Sequence, residues 1–200
     1  MIGADETRSD TPGKMDGRTR YTGDMRYEGM LHGATVRAPL AHGRLRAIRR
    51  DEGAVDWSRV TFATAEQIPG NRMVQMIAAD MPFLAWDEVL YRGEPVALVA
   101  APTVEEAEAA RRAVTVEMDP LPATLTLDEL VARHRDPARR GELHELARWN
   151  IQHGDAAGAI AGADVVLERH YTTPHQEQAY LETNAMIAVP EPDGRMRVEG

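Results

Sequence analysis

The sequence predicts an α+β fold, because short strands dominate the chain and a well-capped helix lies between two of them. Val96 to Ala101 is apolar on both faces, which is typical of a strand at the centre of a sheet. Val104 to Ala113 has helical composition, with Thr103 as its N-cap and Glu106 as the other half of a capping box. Val114 to Met118 returns as a strand and completes a βαβ-like unit. The earlier strands lack such helices, so a doubly wound sheet is not expected.

Four strands are predicted before this unit from alternating or apolar runs that end in turn residues. These strands are Met30 to Arg37, Leu45 to Arg50, Val60 to Ala63 and Glu88 to Tyr91. The last of them enters a turn at Arg92 to Pro95.

A second module is predicted in the last quarter of the chain, after a helix from Leu127 to Arg133 that Thr126 caps. Its predicted elements are a small-residue helix at Asp155 to Ala163 and strands at Val165 to Thr173, Asn184 to Val189 and Arg195 to Val198. A hairpin that closes at Gly200 cannot bury its own face. We therefore expect this module to be completed by further protein.

Composition excludes several classes of function. The chain has 200 residues, a net charge of −9 and no cysteine. The negative charge disfavours nucleic-acid binding, and the lack of cysteine excludes disulfides, thiol catalysis and cysteine-ligated iron–sulfur clusters within this chain. Because aromatic residues make up only 5%, the core must consist of aliphatic side chains. Residues 1–16 are polar and predict a flexible arm without a targeting segment, so we expect a cytoplasmic protein without a membrane span.

Common catalytic motifs are absent, and one polar segment remains as a candidate site. The sequence contains no P-loop, no GxGxxG and no complete HExxH, and its scattered histidines do not predict a metal site. Pro174 to Thr183 (PHQEQAYLET) is rich in amides and interrupts two apolar runs. The side chains of Gln176 and Gln178 can donate neutral hydrogen bonds to a bound polar group, although a solvated loop has the same composition.

This segment resembles the QEHxYLE(T/P) stretch in the large subunit of the xanthine dehydrogenase/aldehyde oxidase family of molybdenum hydroxylases. Other family motifs follow in unbroken order along residues 16–200. They are DGRTRYTGD at 16–24, GMLHGA at 29–34 with VRAPLAH at 36–42, YRGEPVA at 91–97, and NI, GD and ADVV at 150–151, 154–155 and 163–166.

The resemblance implies a domain organisation and a cofactor. Residues 17–125 would form the family's α/β-hammerhead domain, 126–149 a linker, and 150–200 the beginning of its molybdopterin-binding domain. Molybdenum would be held by the sulfurs of molybdopterin in the full-length protein, which agrees with the lack of protein thiols. Iron–sulfur clusters and FAD would lie on partner subunits or other domains, in an oligomer of heterotrimers.

The resemblance also assigns site residues. Gln176 falls on the family position whose amide donates a hydrogen bond to the molybdenum cofactor, and Glu182 would orient the loop by accepting hydrogen bonds. The base glutamate and the remaining cofactor loops lie downstream of Gly200 in the family, so no catalytic residue and no metal ligand is expected here. Pro174-His175 and Gln178 depart from the common Gly-Gly and histidine of the motif, which leaves the substrate undetermined.

The implied function is oxidation of an aldehyde or an N-heterocycle, a small-molecule substrate, with oxygen derived from water. This activity is expected of the full-length complex, and the 200-residue chain alone is expected to be inactive. The alternative is a non-catalytic hammerhead-like module that serves as an interaction scaffold. An open reading frame that continues for hundreds of codons past Gly200 would favour the enzyme.

Overall fold

The structure of the protein is a computed structural model that describes residues 3, 8–76, 79–136, 138, 149–181 and 183–200. The chain divides into two compact units, Tyr27–Leu143 and Met1–Arg26 with His144–Gly200. Its helices and strands, in chain order, are α1 (Thr11–Met15), β1 (His32–Arg37), β2 (Gly43–Arg50), β3 (Thr61–Thr64), β4 (Met73–Val74), β5 (Met81–Pro82), β6 (Glu88–Val89), β7 (Pro95–Ala101), α2 (Val104–Arg112), β8 (Val114–Pro120), α3 (Leu127–Arg135), α4 (Ala156–Ala161), β9 (Ile187–Pro190) and β10 (Met196–Glu199).

Two three-stranded antiparallel sheets form the frame of the Tyr27–Leu143 unit. One sheet has the order β1-β7-β3 and the other has the order β6-β2-β8. In the first sheet Val99 of β7 lies opposite Ala34 of β1 and Phe62 of β3. The central position predicted for this apolar strand is therefore confirmed. A short antiparallel ribbon of β4 and β5 completes the unit and was not predicted.

The core of this unit consists of small aliphatic side chains, as the scarcity of aromatic residues predicts. Val89, Val96 and Val99 are its largest fully buried side chains. Helix α2 contributes Ala107 and Ala110, which are buried where the helix packs on β1 and β7. Because alanine brings the helix axis close to the sheet, valine-sized side chains are enough to fill the layer between them.

The α+β class is confirmed, but the predicted βαβ-like unit is wrong. Strand β8 does not join β7 in one sheet; it pairs with β2, from Arg50 opposite Val114 to Gly43 opposite Pro120. Helix α2 therefore connects two different antiparallel sheets. Sequence order alone cannot reveal this connection, because a strand after a helix can rejoin its own sheet or enter another.

The start of α2 differs from its prediction in one respect. The side chain of Thr103 caps the helix and accepts a hydrogen bond from the Glu106 amide at 3.1 Å. The Thr103 amide does not close a capping box; the Glu106 carboxylate instead accepts a hydrogen bond from the Thr103 hydroxyl at 3.4 Å and forms an ion pair with Arg59 at 2.9 Å. Arg59 thereby lowers the pKa of the Glu106 carboxyl. Long-range partners of this kind compete with local ones and cannot be read from the sequence.

The second unit contains less regular structure than the sequence predicts. The small-residue helix predicted at Asp155 to Ala163 is present as α4, with Asp155 as its cap, and β9 and β10 form the predicted hairpin. Residues 165–173 are exposed and have no regular secondary structure, so the strand predicted there is wrong. A strand requires a partner, and among the described residues of this unit only β9 and β10 pair, with each other. Helix α1 lies in the segment expected to be an arm.

No described helix has both the length and the apolar character that crossing a membrane requires.

Candidate functional site

Gln176 lies on an exposed stretch between α4 and β9 that has no regular secondary structure. Its side chain is open to solvent, so the amide is available to a group supplied from outside this chain. An amide N–H donates and its carbonyl oxygen accepts, without a change in charge or protonation. The Gln176 amide can therefore recognise a polar ligand but cannot itself transfer a proton at neutral pH.

The backbone just after Gln176 has an unusual local conformation. The carboxylate of Glu177 accepts a hydrogen bond from the amide of Ala179 at 3.3 Å. Ala179 has a φ of +49°, and it is the only described non-glycine residue with a positive φ. Left-handed backbone is uncommon for a residue with a Cβ and marks a local constraint. This unusual conformation lies three residues after Gln176, within the motif at 174–183.

Glu182, the second residue predicted for this site, lies outside the described residues. Its proposed role as an acceptor for the loop is therefore an expectation from the sequence. Gln178 and His175, where the sequence departs from the common motif, are both exposed.

Metal ligands are not grouped in the part of the chain that the structure describes. No set of three His, Asp or Glu side chains among the described residues is close enough to hold an ion, and the sequence contains no cysteine. A metal bound in this region would therefore take its ligands from a cofactor or from protein outside the described part of the chain.

The motif at 91–97 forms a turn that packs on the end of β1. Residues 91–94 form a tight turn whose third residue must have a positive φ. Gly93 occupies that position and has a φ of +92°. The Gly93 amide donates to the carbonyl of Ala38 at 2.9 Å, and the Ala38 amide donates to the carbonyl of Glu94 at 2.9 Å. Arg37 adds a bond from its guanidinium to the Gly93 carbonyl at 2.8 Å. The two family-like motifs that hold these residues thus meet in space.

The carboxylate of Glu94 stabilises this turn from inside. Glu94 is 2% exposed and is the one buried polar or charged residue in the described part of the chain. Its Oε2 accepts a hydrogen bond from the Leu90 amide at 2.7 Å. A buried carboxylate that accepts a backbone N–H satisfies a donor that would otherwise lack a partner. Its role here is structural.

A second carboxylate, Glu88, pairs with His42 next to the same turn. His42 Nε2 lies 2.7 Å from Glu88 Oε1, and His42 Nδ1 lies 2.7 Å from the carbonyl oxygen of Pro122. These two acceptors raise the pKa of the imidazole, with Glu88 as the larger cause. The adjacent Asp87 pairs with Arg44 at 2.9 Å. These acidic groups border a cleft of about 330 Å³, but their partners leave neither available as a free base.

The structural roles of Glu94 and His42 were not predicted, although both residues belong to recognised motifs. Glu94 follows a glycine in a turn and lies between two apolar strands. A charged residue in such a position is a signal that could have indicated a buried hydrogen-bond acceptor. His42 gave no comparable signal, because its partners lie 46 and 80 residues away.

Two family descriptions match the chain in succession. Residues 16–122 match the a/b hammerhead domain of aldehyde oxidase and xanthine dehydrogenase, and residues 138–199 match a molybdopterin cofactor-binding domain. Together they account for most of the sequence, in the order that the motifs predict.

Proteins with similar sequences are much longer than this chain. The chain is 32% identical, over 94% of its length, to a probable xanthine dehydrogenase subunit of Bacillus subtilis, of which it covers 25%. It is 25% identical, over 99% of its length, to the nicotinate dehydrogenase large molybdopterin subunit of Eubacterium barkeri, of which it covers 46%. The chain thus spans a quarter to a half of the length of these relatives.

Solved structures support the same fold. Aldehyde oxidoreductase from Desulfovibrio gigas superposes with a TM-score of 0.81 at 23% identity, over 96% of this chain and 22% of that one. A Cu,Mo-CO dehydrogenase matches with a TM-score of 0.59 at 26% identity, over 72% of this chain and 18% of that one. With the family match over more than half of the sequence, these likenesses show that the chain belongs to the aldehyde oxidase and xanthine dehydrogenase family.

Proposed function

We propose that this chain is part of the large subunit of a molybdenum hydroxylase, which oxidises an aldehyde or an N-heterocycle with oxygen from water. The observation that carries the proposal is the succession of a hammerhead match and a molybdopterin-binding match along one chain. The exposed amide-rich segment around Gln176 lies within the second match. No group in the described part of the chain supports a separate catalytic centre.

The residues present fit a molybdopterin cofactor. A neutral amide can donate to an oxygen on the metal, and a chain without cysteine leaves the sulfur ligands to the pterin. When bound, this cofactor accepts the two electrons that leave the substrate. The part played by this chain is narrower: Gln176 donates a hydrogen bond to the cofactor, and the left-handed backbone at Ala179 constrains the segment that carries the amide. Glu182 orients that loop as a hydrogen-bond acceptor.

The proposed domains follow the same division. Residues 17–125 form the hammerhead domain, 126–149 a linker and 150–200 a part of the cofactor domain, with 1–16 as an N-terminal arm. The hammerhead match at 16–122 and the core of the Tyr27–Leu143 unit support the first of these domains, and the molybdopterin-binding match at 138–199 supports a second domain toward the end of the chain.

The electrons that the cofactor accepts must leave through other redox groups. Iron–sulfur clusters require cysteine ligands, and this chain has none, so they lie with FAD on partner subunits or other domains. Several relatives are named as subunits, among them the gamma subunit of the 6-hydroxypseudooxynicotine dehydrogenase complex of Paenarthrobacter nicotinovorans. An oligomer of heterotrimers in the cytoplasm is the arrangement we propose.

Metal analysis tests this function. The gene product that contains this sequence would be purified with its partner subunits from cells supplied with molybdate, beside the isolated 200-residue chain. We expect about one molybdenum per large subunit, with oxidation of an aldehyde or an N-heterocycle, and neither in the isolated chain. A folded complex that contains no molybdenum would contradict the proposal, as would stoichiometric molybdenum in the isolated chain.

A further inference from the structure

The central strand of the β1-β7-β3 sheet is covered on one face and open on the other. Val99 lies in the core cluster with Ala110 of α2, so the helix covers the face to which Val99 points. Neighbouring strand residues point to opposite faces, and Leu98 is accordingly 43% exposed. Its partners across the sheet are Thr35 and Ala63, whose short side chains leave it uncovered.

This open face is the floor of an apolar groove of about 390 Å³. Ile68, Pro69 and Phe83 belong to its walls, and Phe83 is 51% exposed. None of the residues that line the groove carries a charge, although more than a quarter of the chain's residues are charged. A large uncharged surface on a central strand is typical of an interface and not of a solvent-facing sheet.

The chemistry of the groove defines what can fill it. Thr35 and Gln67 are the polar residues among the described lining, and the remaining lining is apolar. The groove is therefore better suited to bury aliphatic side chains of another polypeptide segment than to bind a charged metabolite. The relatives supply a source for that segment, because about three quarters of the Bacillus subtilis protein lies outside the region that this chain covers.

We propose that the Leu98 groove, formed by Thr35, Ala63, Ile68, Pro69, Phe83 and Leu98, docks an uncharged, aliphatic segment from the remainder of the same large subunit. The groove is thus an interface within the subunit, and it completes the second face of the sheet. This inference rests on the proposed function in one respect, namely that the chain is part of a longer molybdenum subunit.

Thiol labelling tests the proposal in the full-length subunit. Residues 1–200 contain no cysteine, so Leu98→Cys, Phe83→Cys and Thr115→Cys each place one thiol in this region. Thr115 is an exposed residue of β8, outside the groove, and serves as the control. A maleimide would be applied to the folded subunit and to the same protein in urea, and each peptide would be quantified by mass spectrometry. We expect labelling at positions 98 and 83 to be at least tenfold slower than at 115, relative to the unfolded protein.

Three results would overturn the proposal. Labelling at 98 and 83 as fast as at 115 would mean that the groove stays open. Protection that disappears on dilution would identify a second copy of the subunit as the occupant. Protection that requires the partner subunits would identify a partner subunit as the occupant. A photo-cross-linker attached to the thiol of the Leu98→Cys variant should instead join a peptide beyond residue 200 of the same subunit. The labelling experiment does not depend on molybdenum. A subunit that protects the groove but contains no molybdenum would therefore support this inference and contradict only the proposed function.

Discussion

The imidazole of His42 and the carboxylate of Glu88 lie 2.7 Å apart and join the start of β2 to β6. The other ring nitrogen lies 2.7 Å from the carbonyl oxygen of Pro122, just after β8. Carboxylate and carbonyl oxygens accept, so both ring nitrogens must donate, and only the protonated imidazole can do so. The imidazole therefore links the start of β2 to β6 and to the segment just after β8, and its protonated form is the one that fits both acceptors.

This arrangement predicts a pH-dependent contribution to stability. The pKa of His42 is raised in the folded chain by Glu88 first and by the Pro122 carbonyl second, against desolvation and the charge of Arg133. A raised pKa means that the stabilisation is complete below the unfolded pKa of about 6.5 and is lost as pH rises through the folded pKa. His42→Gln should therefore lower the free energy of unfolding more at pH 6 than at pH 9, measured by urea denaturation.

A double-mutant cycle with Glu88→Gln tests the pair directly. Both side chains are partly exposed, so we expect a coupling free energy of about 1 kcal/mol at pH 6. A coupling that is zero at pH 6, or a cost of His42→Gln that does not change with pH, would contradict the protonated imidazole.

The buried carboxylate of Glu94 provides a second prediction. Glu94→Ala leaves the Leu90 amide without its acceptor and should lower the free energy of unfolding by about 1–3 kcal/mol. Glu94→Gln keeps an oxygen that can accept this bond, so its cost should be clearly smaller. The exposed Glu66→Ala serves as the control and should have almost no effect. Equal costs for Glu94→Ala and Glu66→Ala would show that the carboxylate does not stabilise the turn.

Gly43 allows the close pairing of β2 with the end of β8. A Cβ at this position would lie 2.7 Å from the Asp119 carbonyl oxygen and 3.0 Å from the Met118 methyl carbon. A backbone carbonyl in a strand cannot shift away from a new Cβ as easily as the end of a flexible side chain can. Gly43→Ala should therefore lower the free energy of unfolding by about 1–3 kcal/mol. Gly53→Ala, whose Cβ meets only a side-chain oxygen at 3.6 Å, is the matched control. Thermal unfolding of the two variants should separate them by several degrees; equal midpoints would contradict the steric account.

Gln176→Ala in the intact enzyme tests the proposed cofactor contact. Gln176 is exposed and contributes little packing, so the free energy of unfolding should change by less than about 0.5 kcal/mol. Turnover per molybdenum should fall about 10²–10³-fold, which is typical when a preorganised donor to a developing charge is removed. Gln178→Ala is the matched control and should retain turnover. Full molybdenum loading with unchanged turnover in Gln176→Ala would reject the contact, whereas loss of molybdenum would identify Gln176 as an anchor for the cofactor.

Local patterns were enough to predict much of the fold. The capped helix α2, the hairpin at β9 and β10 and the central position of β7 all follow from caps, turns and apolar runs whose causes lie within a few residues. What the sequence could not reveal depends on distant partners. Strand β8 pairs with β2 and not with β7, and Glu106 forms an ion pair with the distant Arg59 in addition to its contact with the helix start.

The candidate site could be predicted only in part for the same reason. The motif around Gln176 marked the segment, but the left-handed backbone at Ala179 is a local conformation that composition does not specify. The predicted strand at 165–173 failed because its apolar residues have no partner among the described residues of their unit. An alternating pattern indicates that a strand can form, whereas pairing decides whether it does.

The source of the oxygen in the product tests the central claim most directly. The purified complex would oxidise an aldehyde or an N-heterocycle in water enriched in ¹⁸O under ordinary oxygen gas, and the product would be analysed by mass spectrometry. A molybdenum hydroxylase inserts oxygen from water, so we predict one ¹⁸O atom per turnover in the product of an N-heterocycle. A product that contains only ¹⁶O under these conditions, and gains ¹⁸O from labelled oxygen gas, would contradict the account.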